Sequence, residues 1–434
     1  MTPTIRRLSL SSLAPRQVRS LTTRHAVPNP SILADATAIV ADVAARGDAA
    51  LRHHGAIHGG QLANGTIAVN RQTIAESRSA VDPDLLEAME HAIANVTAVH
   101  ASQRPLDTVV TPGGGITIER VWTPLASVGA YVPGGRGLYP SSLIMGVVPA
   151  RIAGVGRIVV ATPARPDGTV DPVVLAAAAL LDVDAVYAMG GAQAVGALAY
   201  GTESVEAVDK IVGPGGPWVT AAKLAVFGAA GIDLPAGPSE AAVLVDASAD
   251  PAIVAADVMC QAEHGEESAV ALIVVGDATA DAVVEEIGRQ LPTLERADTI
   301  GTALSDHGMV VVADDLQAAT AFANAWAPEH LSVHTDDAGT VARDIPNAGS
   351  VFVGHWTPEA AGDYATGANH VLPTGGLARA YGPLCVEDFG SWRQIQTLTR
   401  QGLEALAPTI TRMANAEGFT AHAHSVLIRL RTSA

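Results

Sequence analysis

Short apolar runs alternate with helix-length amphipathic or apolar stretches along most of the chain. Residues 157–162, RIVVAT, form a β-branched run between Gly156 and Pro163, which predicts a strand buried on both faces. The next segments are PVVLAAAALLDV (helix), AVYAMGG (strand and turn), AQAVGALAYG (helix) and DKIVGPGG (strand and turn). A second series starts with AAVLVD as a strand. PAIVAADVMCQAEH follows as helix, VALIVVGD as strand, ADAVVEEIGRQL as helix and MVVVADD as strand. Strands alternating with helices of this length predict βαβ units and parallel sheets, with right-handed crossovers that place helices on both faces. Residues 28–53 and 83–100 read as helices ahead of both series, and beyond Pro383 the pattern becomes mostly helical.

The chain has 434 residues, enough for two to four domains at the usual ~100–200 residues each. It is 48% hydrophobic but only 4% aromatic, so its core must be packed from small side chains, chiefly Ala and Val. With 26 basic and 44 acidic residues the net charge is −18, which argues against a general nucleic-acid binder. The only lysines are Lys210 and Lys223, so no polybasic membrane segment exists. The longest apolar stretch, 172–181, falls far short of the ~20 residues that span a bilayer. Cys260 and Cys385 form neither a disulfide framework nor a CxxC pair, so a reduced, cytoplasmic protein is expected. Residues 1–24 are rich in Arg and Ser and lack acids, as transit peptides do. No apolar region or cleavage signal follows, which favours an arm lying on the protein or on a partner subunit.

Several segments carry candidate chemistry. In VMCQAEHGEES, Gln261 and His264 lie three apart, so on a helix both can reach one metal ion with an oxygen and a nitrogen. Such a pair is more often a hydrogen-bonded helix end. In WAPEHLSVH, Glu329 and His330 are adjacent after Pro328; a carboxylate beside an imidazole suits acid–base work, though a solvated turn has the same look. EAAGDYATGANHVLPTGG is punctuated by glycines and reads as a loop rather than a helix. It carries Asp363, a hard oxygen donor, with Asn369 and His370; helix-capping and turn roles are the common fate of Asp and Asn there. AEGFTAHAHSVLIRL carries Glu417, His422 and His424. Histidines two apart share a face on a strand but diverge on a helix, so spacing does not say which enters a site. The turns AMGGAQAVG and IVGPGGPWVT each follow a strand and precede a helix, where α/β proteins offer backbone N–H groups to phosphate. Neither matches a full GxGxxG, and tight turns alone would explain them.

Together these segments resemble the histidinol dehydrogenase family. The resemblance runs from IVADVAARGDAAL through VGAYVPGGRGLYPSSLIMGVVPARIAGV, GGAQAVGALAYGTE, VDKIVGPGG, GIDLPAGPSE, DVMCQAEH, APEHL and GDYATGANHVLPT to EGFTAH, in the family's order and over nearly the whole chain. It implies a zinc- and NAD-dependent four-electron oxidation of L-histidinol to L-histidine through L-histidinal. It assigns zinc to Gln261, His264, Asp363 and His422, with His330 as the base and Glu329 as the residue that activates water. Ser239, His370 and Glu417 match substrate-contacting positions, as do the four zinc positions and His330. Tyr131 and Gln193 match cofactor contacts. Gly216 stands where the family usually has a cofactor-contacting Asn, and Trp218 where it has Tyr or Phe.

The resemblance also implies a homodimer in which Glu417 and His422 complete the partner's site, and two incomplete Rossmann-like α/β domains. The expected division is an arm over 1–24, a discontinuous first domain over 25–130 and 240–383, a second domain over 131–239, and a small, mostly helical C-terminal segment over 384–434. Two other activities stay open. One is a related zinc- and NAD-dependent dehydrogenase of another polar alcohol, such as a sulfonated diol. The other is a zinc hydrolase in which Glu329 activates a metal-bound water.

Overall fold

The computed structural model describes residues 3–134 and 137–431. Two parallel sheets form its frame. One has strands β4 (Ser127–Tyr131), β5 (Arg157–Thr162), β6 (Ala185–Ala188), β7 (Lys210–Val212) and β8 (Gly231–Ile232), in the order β6-β5-β4-β7-β8. The other has β1 (Arg6–Ser9), β9 (Glu240–Val245), β10 (Ala269–Val275), β11 (Gly308–Ala313), β12 (His330–His334) and β13 (Ser350–Val353), in the order β1-β11-β10-β9-β12-β13. With β1 set aside, both sheets run third-second-first-fourth-fifth. Each therefore has a topological switch point, between β4 and β7 and between β9 and β12. A third sheet is antiparallel: β2 (Thr108–Gly113), β3 (Ile116–Pro124) and β14 (Gly390–Leu398), with β3 in the middle.

Alternation along each strand fills two faces. Val243, Val245, Leu272 and Val310 enter one core, while Ala242, Leu244, Ile273 and Leu331 enter the core behind it. The first sheet divides likewise, with Val128, Ile158 and Val160 on one side and Tyr131, Val159 and Ile211 on the other. Helices start where the sequence supplies a cap and a proline. Asp171 accepts from Val173 N ahead of the helix Pro172–Leu180, and Asp250 accepts from Ala252 N ahead of the helix Pro251–Ala262.

Two local expectations, over 28–53 and 359–364, differ in the structure. The helix expected over 28–53 is two helices, Pro30–Arg46 and Asp48–His58, broken at Gly47, whose φ is +55°. Residues 25–130 join the cores on the two faces of the first parallel sheet and also touch 240–383, as where Asn95 donates to Ala365 O at 2.8 Å. Ala36, Val40, Val43 and Leu51 join the core under β4 and β5, and Met89 and Val96 join the core on that sheet's opposite face. Apolar spacing shows that a helix must bury a face, not against which sheet. The segment 384–434 is mostly helical, as expected, and adds one strand: β14 pairs with β3 along nine residues, from Gly390 opposite Pro124 to Leu398 opposite Ile116. Finally, residues 359–364 form a short helix, Glu359–Tyr364, rather than a loop; Gly362 is tolerated because its face lies against Phe352.

The arm is part of the second parallel sheet. β1 pairs with β11 from Arg6 opposite Met309 to Ser9 opposite Val312, and the helix Pro15–Thr22 follows. Among the described residues, no helix is long and apolar enough to cross a membrane.

Candidate active site

Two groups of residues stand at opposite kinds of strand end. Glu329 and His330 lie at the amino end of β12, and Glu240 is the first residue of β9. Tyr131 closes β4, and the turns after β6 and β7 carry Gly190, Gly213 and Gly216 at the carboxyl ends of the other sheet. Ligands of open α/β sheets bind at carboxyl ends beside a switch point, which describes the second group.

The first group is built from three elements. The helix Pro251–Ala262 buries Val254, Ala255, Val258 and Met259 and delivers Gln261 at its last turn, with His264 just past its end. The helix Leu316–Trp326 ends at Ala327, whose φ is +51°, and Pro328 then turns the chain into β12. The helix Glu359–Tyr364 supplies Asp363 and, one turn earlier, Glu359. Glu329 Oε2 accepts from Glu240 N at 2.9 Å and lies 3.8 Å from His330 Nδ1. His330 Nε2 is 3.9 Å from Asp363 Oδ1, and its ring stacks near Phe352 at 5.9 Å. His264 Nε2 lies 3.9 Å from both Asp363 Oδ2 and Glu359 Oε1. His370 Nδ1 bonds to the Asp363 carbonyl at 2.9 Å. Asn369 is a structural residue: its amide donates to Met145 O and accepts from Val371 N, tying this loop to the helix Pro140–Ala153.

Burial shapes the electrostatics. Glu329 is pushed well above the usual carboxyl range, by burial first and then by Glu359 and Asp363; Arg24 opposes this. Glu359 is raised likewise by burial and by Asp363. Burial lifts Asp363 to about 6. It lowers His330 to about 3, helped by His264 and His370, so the imidazole is neutral at physiological pH. His370 falls to about 4, mainly by burial.

The donor set fits a divalent cation. His264, Glu359 and Asp363 each bring a ligand atom to within 4.8 Å of the others. The Gln261 amide can be set either way round. With its nitrogen inward it donates to Glu359 Oε1 at 2.9 Å and to His330 Nδ1 at 3.2 Å. With its oxygen inward, acceptors alone converge, an arrangement that a cation resolves and that also lowers the raised acids. Glu359 escaped the sequence reading. Its place four residues before Asp363, on one face of a helix, was the available signal, hidden by reading that segment as a loop.

The second group fits a nucleotide. Tyr131 Oη accepts from Gly191 N at 3.1 Å, and Gly191 has φ +65°. Gln193 is 5% exposed, has no side-chain partner among the described residues, and lines a cleft with Arg52, Gly60, Gln61, Thr66 and Met189. A buried amide facing a cleft with both donor and acceptor free calls for a polar ligand. Gly213, at φ +113°, lies so close to Tyr131 O that no side chain fits. A Cβ on Gly216 would meet open space.

The structure thus brings together Gln261, His264, Glu329, His330, Asp363 and His370. Half-buried Ser239 lies one residue before Glu240. Glu417 and His422 are not brought in. Both are exposed, Glu417 just past the helix Arg400–Ala416 and His422 on the helix Thr420–Arg431, and they make no hydrogen bond or ion pair to this cluster among the described residues. His422 instead packs beside Phe419, ring centres 5.2 Å apart.

The family model described as histidinol dehydrogenase matches residues 22–430. A histidinol dehydrogenase of Methanosarcina barkeri is 43% identical over 393 residues, covering 90% of each chain. One of Methanothermobacter thermautotrophicus is 41% identical over 96% of this chain and 97% of its own. The crystal structure of histidinol dehydrogenase from Elizabethkingia anophelis superposes with a TM-score of 0.93 at 33% identity, covering 99% of both chains. With its motifs in order along the chain and its fold shared end to end, this chain belongs to the histidinol dehydrogenase family.

Proposed function

We propose that the chain oxidises L-histidinol to L-histidine through L-histidinal, using zinc and two NAD per turnover. The observation that carries this reading is the convergence of Gln261, His264 and Asp363, with Glu359, on the buried Glu329–His330 pair. Zinc would be held by Gln261, His264 and Asp363, with His422 supplied by the partner subunit. When bound, it supplies a Lewis-acid anchor for the imidazole and amino groups of the substrate. NAD, held near Tyr131, Gln193 and Gly216, supplies the acceptor for two hydrides.

The protein's own residues manage protons and water. Burial keeps the His330 imidazole neutral, the form that accepts the alcohol proton as the carbon is oxidised. Glu329 is held by the Glu240 N–H within reach of the same carbon, and as a carboxylate it takes a proton from the water that hydrates the aldehyde. Once His330 has passed the alcohol proton to solvent, it takes a hydroxyl proton from the hydrate as the carbon-bound hydrogen leaves as the second hydride, giving the acid. Ser239, His370 and Glu417 orient the substrate. A dimer places Glu417 and His422 in the neighbouring site. The exposed Met413, Leu427 and Ile428 on the two C-terminal helices, with Phe419 between them, supply an apolar face for such an association.

Subunit mixing tests the shared site. His422→Ala and Glu329→Gln homodimers are each inactive in this reading, and His422→Ala loses tight zinc binding while His424→Ala keeps it. Refolded together at equal amounts, they form hybrids with one intact site, restoring roughly a quarter of full activity by random pairing in a two-fold dimer. No recovery in verified hybrids places His422 outside the partner's site.

A further inference from the structure

Between the arm and the catalytic turn lies a contact to which the proposed chemistry assigns no role. Arg24, at the end of the arm, is largely buried and forks into the core. Its Nη1 pairs with Glu240, and its Nη2 donates to the carbonyls of Trp326 and, at 3.3 Å, Ala327. The guanidinium lies 3.6 Å above the Trp326 ring. These carbonyls terminate the helix Leu316–Trp326, and the next residues are Ala327, Pro328, Glu329 and His330. Ala327 holds a left-handed backbone that a non-glycine residue seldom adopts, so the turn needs outside support.

Glu240 completes the link. Its Oε1 accepts from Gly375 N at 3.1 Å, its Oε2 faces Arg24, and its main-chain N–H donates to Glu329 Oε2 at 2.9 Å. One guanidinium thus fixes both sides of Glu329, holding the turn that carries it and the carboxylate at the root of the strand whose N–H binds it. Arg379 adds a second fastening, donating to Ala325 O and, at 3.3 Å, to Thr22 O of the arm.

We infer that Arg24 is a positioning residue for the Glu329–His330 turn, so that the N-terminal arm is part of the catalytic apparatus. This rests on the reading of Glu329 and His330 as the acid–base pair. A planar fork with fixed donors suits the task, and a lysine, with one point charge, reproduces only part of it.

The test uses the full zinc-loaded chain carrying Arg24→Met, Arg24→Lys, or Arg24→Met together with Glu240→Gln. The double variant removes both buried charges and covers the case in which the single one fails to fold. Expected are a kcat for L-histidinol lowered by about 10–100-fold, the range seen when groups that orient first-contact residues are lost, and a KM and zinc stoichiometry within about twofold of normal. Arg24→Lys falls in between, and ethylguanidinium restores part of the Arg24→Met activity but none in Glu329→Gln. Amide hydrogen exchange over 326–331 quickens by about tenfold or more while exchange in β10 is unchanged. A folded Arg24→Met or double variant with normal kcat and normal exchange over 326–331 overturns the inference. So does a kcat loss matched by equal losses in zinc binding and melting temperature, which is a purely structural role. If the unaltered protein does not turn over histidinol, the catalytic reading falls, and the exchange data alone still decide whether Arg24 holds the turn.

Discussion

Glu329→Gln is expected to slow the oxidation of L-histidinal by about 10²–10⁴-fold, the span usual for loss of a positioned proton acceptor, and the oxidation of L-histidinol far less. The asymmetry follows from the chemistry. The alcohol has its oxygen already and needs only a base, the role given to His330. The aldehyde must first gain water, and a carboxamide cannot take the proton that water gives up. The substitution is nearly isosteric, and the amide can keep the Glu240 N–H bond through its oxygen, so the turn should stay in place. Single-turnover measurements with each substrate separate the two steps. Equal slowing of both would remove the water-activating role from Glu329.

Asp363→Asn is the second large effect. Asp363 faces His264 and His330 at 3.9 Å each and is buried, so its charge is the nearest compensation for a cation there. Its loss should weaken zinc binding by more than the roughly 10–100-fold that loss of an orienting neighbour costs. The pH dependence gives a second signature. Burial raises Asp363 to about 6, and a ligand must be deprotonated to bind metal. Zinc affinity of the unaltered protein should therefore hold above pH 6 and fall about tenfold per unit below it, as one proton competes with the metal. His264 is shifted the other way, downward, by burial. In Asp363→Asn the step at pH 6 should vanish. A zinc titration of both proteins between pH 5 and 8 reads this directly, and unchanged affinity in the variant would exclude Asp363 as a ligand.

The alternation of apolar runs revealed the parallel strands well, because strands buried on both faces leave a continuous signature. RIVVAT became β5, residue for residue. The antiparallel strands β2, β3 and β14 were missed, since their faces are mostly exposed and their sequences, such as GSWRQIQTL, show little apolar periodicity. Partnering was also illegible. The period of a helix such as Pro30–Arg46 is local, whereas its place against the helices Gly191–Tyr200 and Pro217–Val226 depends on contacts more than a hundred residues away. In the site, the motifs that resemble the family pointed to Gln261, His264, Glu329, His330 and Asp363, and these converge. Glu240 and Arg24, which act through geometry alone, left no local mark, and the signal of Glu359 was its spacing from Asp363 on a helix. Arg24 looked like one more arginine in a basic arm, and only the fold shows it beneath Glu329.

The measurement closest to the central claim is NADH formed per L-histidinol consumed by the purified, zinc-loaded protein. The account predicts two, with L-histidine as the product, and so a cofactor turn that works with Gly216 in place of the usual Asn. One NADH with aldehyde released, or no NADH while zinc is bound and the fold intact, would contradict it and turn the search to other polar alcohols.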